Sequence, residues 1–393
     1  MNGWLQLVSV SILNFRNLRY RLDSSLVAVV GFAGVVLVVV AILSIRDGFR
    51  ATLETTGSPD VAIVLRGAAG SEVNSVLNGD ASRVIAEAPG IAQAAAGPVI
   101  SPELLVQISL KKRSSGMRSN VSFRGVGADA VPVHSKVHIV SGRKFTPGLN
   151  EIIVGADAAR NFQGLQLGDM LHSGRYAWKV VGVFDDGGGL HNSEIWTDLP
   201  VLQGAYQRGN SVSSVYAKLT APAAFEAFKQ ALTGNPQLNV SVEQESAYFA
   251  GQARGMSLFI SIVGGIIGVL MGGGAVFGAI NTMYTAVTAR APEIATLRAL
   301  GFGRSPVLLS VLLEGLLLGL VGGVCGGVLA YLLFNGFEAT TFNQFSSMAF
   351  RFAVTPHLLL LGVIYALLLG LLGGLLPAVR AIRMPIAASL RQN

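Results

Sequence analysis

The sequence carries a single cysteine, Cys325, and it lies in an apolar run, so no disulfide framework and no cysteine-rich zinc cluster forms within the chain. Charge is scarce: Asp, Glu, Lys and Arg make up 13% of 393 residues, where a soluble chain carries about 25%. Lysine is scarcer still. There are seven, and none follows a glycine. That excludes the P-loop G-x-x-x-x-G-K-[ST], whose backbone amides and lysine hold nucleotide phosphates. H-E-x-x-H and G-x-S-x-G are also missing, and with them a zinc peptidase and an α/β-hydrolase nucleophile elbow. The sequence assigns no catalytic residue, no cofactor-binding residue and no metal ligand. Any work the chain does draws its energy from a partner or a gradient.

What is present is apolar sequence, gathered into long runs. Leu26 to Ile45 holds 20 residues without a charge, the length that carries a helix across a bilayer core. Gly255 to Ala289 is uncharged, Ser305 to Phe337 holds only Glu314, and Thr355 to Val379 holds no charge. Four transmembrane helices follow, at 26–45, 256–286, 305–334 and 356–379. The first run is longer than a signal-peptide core of about 7–15 residues, and no A-x-A cleavage pattern follows it, so it reads as a retained span.

The short polar segments give the orientation. Arg16, Arg19 and Arg21 precede the first span, Arg290, Arg298 and Arg304 lie between the second and third, and Arg380, Arg383 and Arg391 follow the fourth. The loop 335–355 holds only Arg351. The positive-inside rule puts the nine arginines in the cytoplasm with both termini: 1–25 as an amphipathic segment, 287–304 as a loop, and 380–393 as a tail. The large segment 46–255 then lies outside. Arg46 to Arg254 has 19 basic and 18 acidic residues, a net +1. The chain's net +7 is therefore mostly a topology signal, and no basic patch interleaved with aromatics points to nucleic acid.

The outer segment reads as α+β. Residues 60–65, 104–110, 151–155, 176–184 and 214–219 are β-branched or aromatic and bounded by turn residues. Helices are expected before Pro89 and over 222–232. Helices continuous with the first two spans are expected to carry the domain as a short stalk. "DDGGGLHNSE", with Asp185, Asp186, His191 and Glu194, reads as a flexible glycine turn. His134 and His138 stand four apart in "VPVHSKVHIV", but that stretch is strand-like and does not place them on one helical face.

Small residues recur every four positions in the spans: Gly264, Gly268 and Gly272; Gly315, Gly319, Gly323 and Gly327; Ala366, Gly370 and Gly374. Such stripes let helix backbones approach closely, either within a bundle or at a dimer face. The run Gly272 to Gly274 weakens its helix locally and is a candidate hinge. Glu314, about two turns into the third span, fits an interhelical pair better than a midplane ion site.

Between the second and third spans lies "PEIATLRALGFGRSP", 292–306. Pro292 suits a first helical turn, Glu293 the positive end of the helix dipole, and Gly301 a left-handed C-terminal cap. Ile294, Leu297, and Leu300 or Gly301 are expected on one face. A helix of two turns is too short to stand alone, so it needs something to dock against.

This stretch resembles the cytoplasmic signature of FtsX/MacB/LolC-type ABC transporter permeases. "LLEGLLLGLVGGVCGG" is similar to that family's third span, with Glu314 in step. The ending, with Pro377, Ala378, Ala381, Pro385, Ala388, Leu390 and Arg391, is similar to the family's ending. "SGRKFTPGLNEIIVGADAARNFQGLQLGDML" and "YAWKVVGVF" resemble the MacB-like periplasmic core domain.

The resemblance implies a multi-pass permease subunit of the bacterial inner membrane with a periplasmic domain. Residues 292–302 would be a coupling helix seated in a separate ABC ATPase that binds ATP and magnesium, with Glu293, Ile294, Leu297, Arg298, Leu300, Gly301 and Arg304 as its contact set. It implies a second permease subunit, identical or not, and leaves room for a periplasmic adaptor or cargo carrier and for membrane lipid. MacB itself has an ATPase fused at its N-terminus, where this chain has Met1 to Ser25, so the layout is closer to LolC-type permeases, which serve lipoprotein release. The function implied is mechanotransmission: hydrolysis in the partner moves the outer domain to export or extract a hydrophobic or lipidated substrate. The alternatives are an FtsX-like scaffold that activates a periplasmic partner without transport, and a gradient-driven transporter.

Overall fold

The computed structural model describes residues 22–95, 97–343 and 346–383. The basic segment before the first span and the residues Pro385, Ala388, Leu390 and Arg391 of the ending lie outside the described residues. Four described helices are long and apolar enough to cross a membrane. They are Leu22–Thr56, Glu245–Ala289, Arg304–Phe334 and Pro356–Arg383, called here the first to fourth long helices. The first two run well beyond the apolar windows that reveal them in the sequence. The chain divides into two compact units, described in turn.

The membrane unit comprises residues up to 47, 257–337 and from 352. Between helices in lipid there is little hydrophobic driving force, so close packing of small side chains carries the association. The glycine stripes do this inside the chain. A Cβ added to Gly315 would stand 2.6 Å from the Gly370 carbonyl oxygen, and one on Gly319 would stand 2.5 Å from that of Ala366. Gly323 and Gly327 face Ala366 and Leu359 of the same partner helix. Gly264 meets Ile42, Gly268 meets Val39, and Gly272 meets Leu369 and Tyr365. The Tyr365 hydroxyl donates to the Gly268 carbonyl at 2.8 Å.

These glycines are therefore occupied within one chain rather than presented as a dimer face. A second stripe escaped the four-residue count: Gly322 and Gly326 of the third long helix admit Phe32 and Ala33 of the first. Through Gly272 to Gly274 the second long helix is unbroken, because its backbone hydrogen bonds persist without side-chain support. It contains no proline, unlike the fourth, which carries Pro377 in its interior.

The outer unit comprises 48–256 and 338–351. Its strands are β1 Val61–Arg66, β2 Gln93–Ala94, β3 Gly97–Pro98, β4 Ile100–Lys111, β5 Arg118–Val126, β6 His138–Gly142 and β7 Glu151–Gly155. They continue as β8 Met170–Ser173, β9 Tyr176–Asp185, β10 Ile195–Asp198, β11 Ser214–Lys218, β12 Val240–Gln244, β13 Glu338–Asn343 and β14 Ser346–Arg351. Among the described residues a ten-stranded mixed sheet runs β12-β1-β11-β4-β5-β10-β7-β9-β6, with β8 on β9.

β4 joins its two halves. Ile100–Glu103 pairs with β11 and Leu104–Lys111 with β5. Alternation along the strands sends Val121 and Phe123 into one core with Trp178 and Ile152, while Val126, on the opposite face, joins Trp196 and Phe184. A third core gathers Ile85, Val215, Phe228 and Val242 beneath the helices Gly79–Ala86 and Phe225–Thr233.

Two expectations are corrected. The segment 335–355, read as a short loop, contains the hairpin β13–β14, and this hairpin belongs to the outer unit. The Ala349 amide donates to Ser193 Oγ at 3.0 Å and Phe350 meets Phe49 edge-on. The insertions after the first and third spans thus form one folded body and share one side of a bilayer. The stretch 131–140 is not one strand. Ala130–Val133 is a single helical turn, His134 follows it, and only His138 enters a strand.

Gly315→Val should push the third and fourth long helices apart, at a cost of about 1–3 kcal/mol for overpacking. Thermal unfolding of the purified protein in detergent should show a lower midpoint. Gly273→Ala, where an added Cβ meets nothing within 4 Å, should leave it unchanged.

Candidate functional site

Two groups of residues stand out, one in each unit. In the membrane unit, the chain between the second and third long helices forms the helix Ala291–Ala299 with Pro292 in its first turn. Its C-terminus closes as a Schellman motif: the Phe302 amide donates to the Leu297 carbonyl and the Gly301 amide to that of Arg298, both at 3.1 Å. Gly301 takes φ +92°, a left-handed conformation that glycine adopts without Cβ strain.

Ala291, Ile294 and Ala295 are buried. Ile294 packs with Met283, Val287, Val307, Val311, Ala378 and Ala381. Leu297 and Arg298 are half-buried, and the Arg298 guanidinium donates to the Ile382 carbonyl at 3.2 Å. Glu293, Thr296 and Arg304 are exposed, and Leu300 is 72% exposed. Leu300 is thus not on the face of Ile294. At about 100° per residue, six residues place the two on different sides of the helix.

Arg290, just ahead of this helix, accepts the Ile294 amide on its carbonyl at 2.9 Å. Its guanidinium pairs with Glu314 at 3.1 Å, both side chains at most 10% exposed. One arginine therefore starts the short helix and ties it to the third span. Glu314 works as an interhelical partner.

The second group is a buried polar centre in the outer unit. Arg124 of β5 is fully buried. Its Nε and Nη2 grip Glu194 at 2.8 and 2.7 Å, and its Nη1 reaches Glu72 and Glu103, each at 2.8 Å. Ser214 donates to Glu72, Ser101 to Glu103 and the Trp196 indole to Glu194. His134 Nε2 lies 2.8 Å from Glu103, and His191 Nδ1 lies 3.0 Å from Glu194. Burial opposes charge on Arg124, Glu103, Glu194 and His134, but attraction between them and their neighbours wins. Arg124 is held far above its ordinary value by Glu194 and Glu72. Glu194 is held below the carboxylate range by Arg124 and His191, and Glu103 is lowered by His134 and Arg124. Glu103 and Glu245 push His134 up to about 10 against the burial that would lower it. Asp186, which lacks a guanidinium partner, is raised by burial.

None of this was expected of "DDGGGLHNSE". Gly187 and Gly188 do form a left-handed turn, but Asp186, His191 and Glu194 around it are buried rather than solvated. Arg124, Glu72 and Glu103 escaped the sequence reading. Their signal was an arginine inside the apolar strand "VSFRGV", since a charge buried on a strand requires partners.

Removing one member of such a centre strands the others, at about 3–5 kcal/mol. Arg124→Met should therefore lower the denaturation midpoint of the outer unit sharply. The pH dependence should change sign as well. In the unmodified protein Glu103 and Glu194 have depressed values, so their contribution is present above the ordinary glutamate value of 4.5 and lost as pH falls below it. In Arg124→Met the unpaired carboxylates favour protonation, and mild acid should restore stability. Denaturant titrations at several pH values read both effects.

Comparison with known proteins follows the same division. The MacB-like periplasmic core domain family matches residues 25–235, and the FtsX-like permease C-terminal family matches 265–386. Among solved structures, the chain is similar to the extracellular domain of the noncanonic ABC-type transporter YknZ from Gram-positive bacteria (15% identity, TM-score 0.36, covering 47% of this chain and 99% of that one). It is also similar to the periplasmic region of MacB from Actinobacillus actinomycetemcomitans (13% identity, TM-score 0.37, 49% and 92%). No curated protein matches the sequence. With the core-domain match spanning more than half of its length and the permease match covering the later spans, the chain belongs to the FtsX/MacB-type family of ABC transporter permeases.

Proposed function

We propose that this chain is the permease subunit of a mechanotransmission-type ABC transporter of the bacterial inner membrane, with 291–304 as the element that receives force from a separate ATPase. The observation that carries this reading is the two-sided character of the short helix. One side, Ala291, Ile294 and Ala295, is buried in the bundle, and Arg290 pins its start to Glu314. The other side offers a carboxylate, Glu293, and an apolar knob, Leu300. A helix fixed on one side and open on the other transmits a push from whatever docks on the open side. Arg298, held by the Ile382 carbonyl, anchors the helix as much as it offers a contact.

In this reading the partner binds and hydrolyses ATP with magnesium, and this chain has no catalytic role of its own. A second permease subunit completes the membrane portion, and the outer domain handles a hydrophobic or lipidated cargo or a periplasmic partner. The polar-poor membrane unit, whose glycines pack against backbone and mainly apolar side chains, favours movement of the outer domain over passage of cargo through a polar channel.

Glu293→Lys combined with Leu300→Asp changes only exposed groups. The expected outcome is an unaltered thermal midpoint together with loss of the co-purifying ABC ATPase and of permease-dependent ATPase stimulation. Retained association and stimulation in that variant would sink the assignment of this helix.

A further inference from the structure

The buried polar centre brings three ligand atoms close to one point, two of them without a hydrogen bond. His191 Nε2 and Glu245 Oε1 are buried and accept or donate no hydrogen bond among the described residues. His134 Nδ1 stands 3.6 Å from that same Glu245 oxygen. The ligand atoms of His134, His191 and Glu245 all lie within 4.8 Å of one another, and all three residues are buried. An orphaned imidazole nitrogen and an orphaned carboxylate oxygen aimed at one spot are costly without an occupant. We propose that His134 Nδ1, His191 Nε2 and Glu245 Oε1 form a binding site for a divalent transition metal ion of the zinc class.

The arrangement behind the ligands supports this. Metal-bound histidines usually give their other ring N–H to a carboxylate, which fixes the tautomer and aims the ligating nitrogen. Both histidines have that backing: Glu103 stands behind His134 Nε2 and Glu194 behind His191 Nδ1. Glu103 and Glu194 are themselves held by Arg124, so the rings are fixed from two layers back. Glu245 is positioned through its other oxygen, which accepts the Ser58 amide at 2.8 Å.

Two imidazoles and one carboxylate are a donor set suited to zinc, with a fourth position left for water. That position faces a small cavity lined by Thr56, Ser58, Lys136 and Asp186. Zinc bonds of about 2.0–2.1 Å in a tetrahedron place ligand atoms about 3.3 Å apart, so closure draws the side chains in by about 1 Å. Three buried glutamates, Glu72, Glu103 and Glu194, share one buried guanidinium, and a fourth, Glu245, is buried beside His134.

The pairing differs from the one the sequence invited. His138, four residues after His134, is exposed on a strand, and the partner is His191, brought in by the fold. The site also ties together three parts of the outer unit: the turn after Ala130–Val133, the Leu190–Ser193 turn, and Glu245, the first residue of the second long helix.

The test uses the full chain in detergent, purified with a histidine-free tag, stripped with chelator and titrated with zinc. Zinc per chain is read by elemental analysis after gel filtration, and thermal unfolding is followed alongside. The expected result is one ion per chain and a midpoint that rises with zinc concentration, as binding to the folded state alone requires. Both should be lost in His191→Ala and in Glu245→Gln, and both kept in His138→Ala. Cobalt substitution of the unmodified protein gives a readout independent of variant folding, since tetrahedral nitrogen and oxygen ligation produces intense visible absorption. Absence of stoichiometric zinc, equal binding by His191→Ala, or a cobalt spectrum of octahedral type would each overturn the site.

Discussion

The membrane unit depends on backbone-to-backbone approach between the third and fourth long helices. Gly315 and Gly319 on one and Ala366 and Gly370 on the other leave no room for a further carbon atom. In lipid, apolar side chains gain little by leaving one apolar surroundings for another, so dispersion at short range has to hold helices together. The same helix turns its second pair of glycines, Gly322 and Gly326, to the first long helix. The third helix is therefore the hub of the bundle. It also carries Glu314, which fixes Arg290 and so the entry of the short helix Ala291–Ala299. One helix thus combines the tightest contacts of the unit with the anchor of the proposed force-receiving element.

The outer unit solves a different problem. Its long strand β4 joins two half-sheets, and near its partner change Glu103 meets Arg124 of β5. A guanidinium with five donors in a fixed plane serves three carboxylates at once. Such a centre contributes little net stability relative to an apolar core of equal volume, because desolvation offsets attraction. Its value lies in specificity: only one arrangement of the turn at Glu72, the strands β4 and β5, and the segment at Glu194 satisfies every charge. The proposed metal site would extend that logic, since its two histidines are aimed by Glu103 and Glu194, the same carboxylates that Arg124 holds.

Much of this was legible beforehand where the signal is local. The four spans follow from length and charge scarcity, and strands such as 151–155 and 176–184 from β-branched runs between turn residues, the second ending one residue later in the structure. The glycine cap at Gly301 follows from the two-turn pattern before it. Other features failed for identifiable reasons. Leu300 was set on the wrong face of the short helix because spacing was counted loosely against a 100° step. The hairpin β13–β14 was read as a loop because the residues it packs against, such as Phe49 and Ser193, lie far away in the sequence. "DDGGGLHNSE" was read as solvated because polarity and glycine usually mean exposure, and partners that bury it, Arg124 and His134, lie far away in the sequence.

By itself the sequence determined what bulk composition and local periodicity determine: four apolar helices, the asymmetry of arginine between the two sides, an inserted α+β domain, and a short capped helix between the second and third spans. These follow from the transfer of contiguous residues between water and lipid and from hydrogen bonding within a few residues. Tertiary structure alone decided which glycines meet which helices, that 338–351 folds with 48–256, and that His134 finds His191 and Glu245 rather than His138. Those outcomes depend on contacts between residues far apart in the chain, whose cost in loop closure and gain in burial are set only when the whole fold is in place.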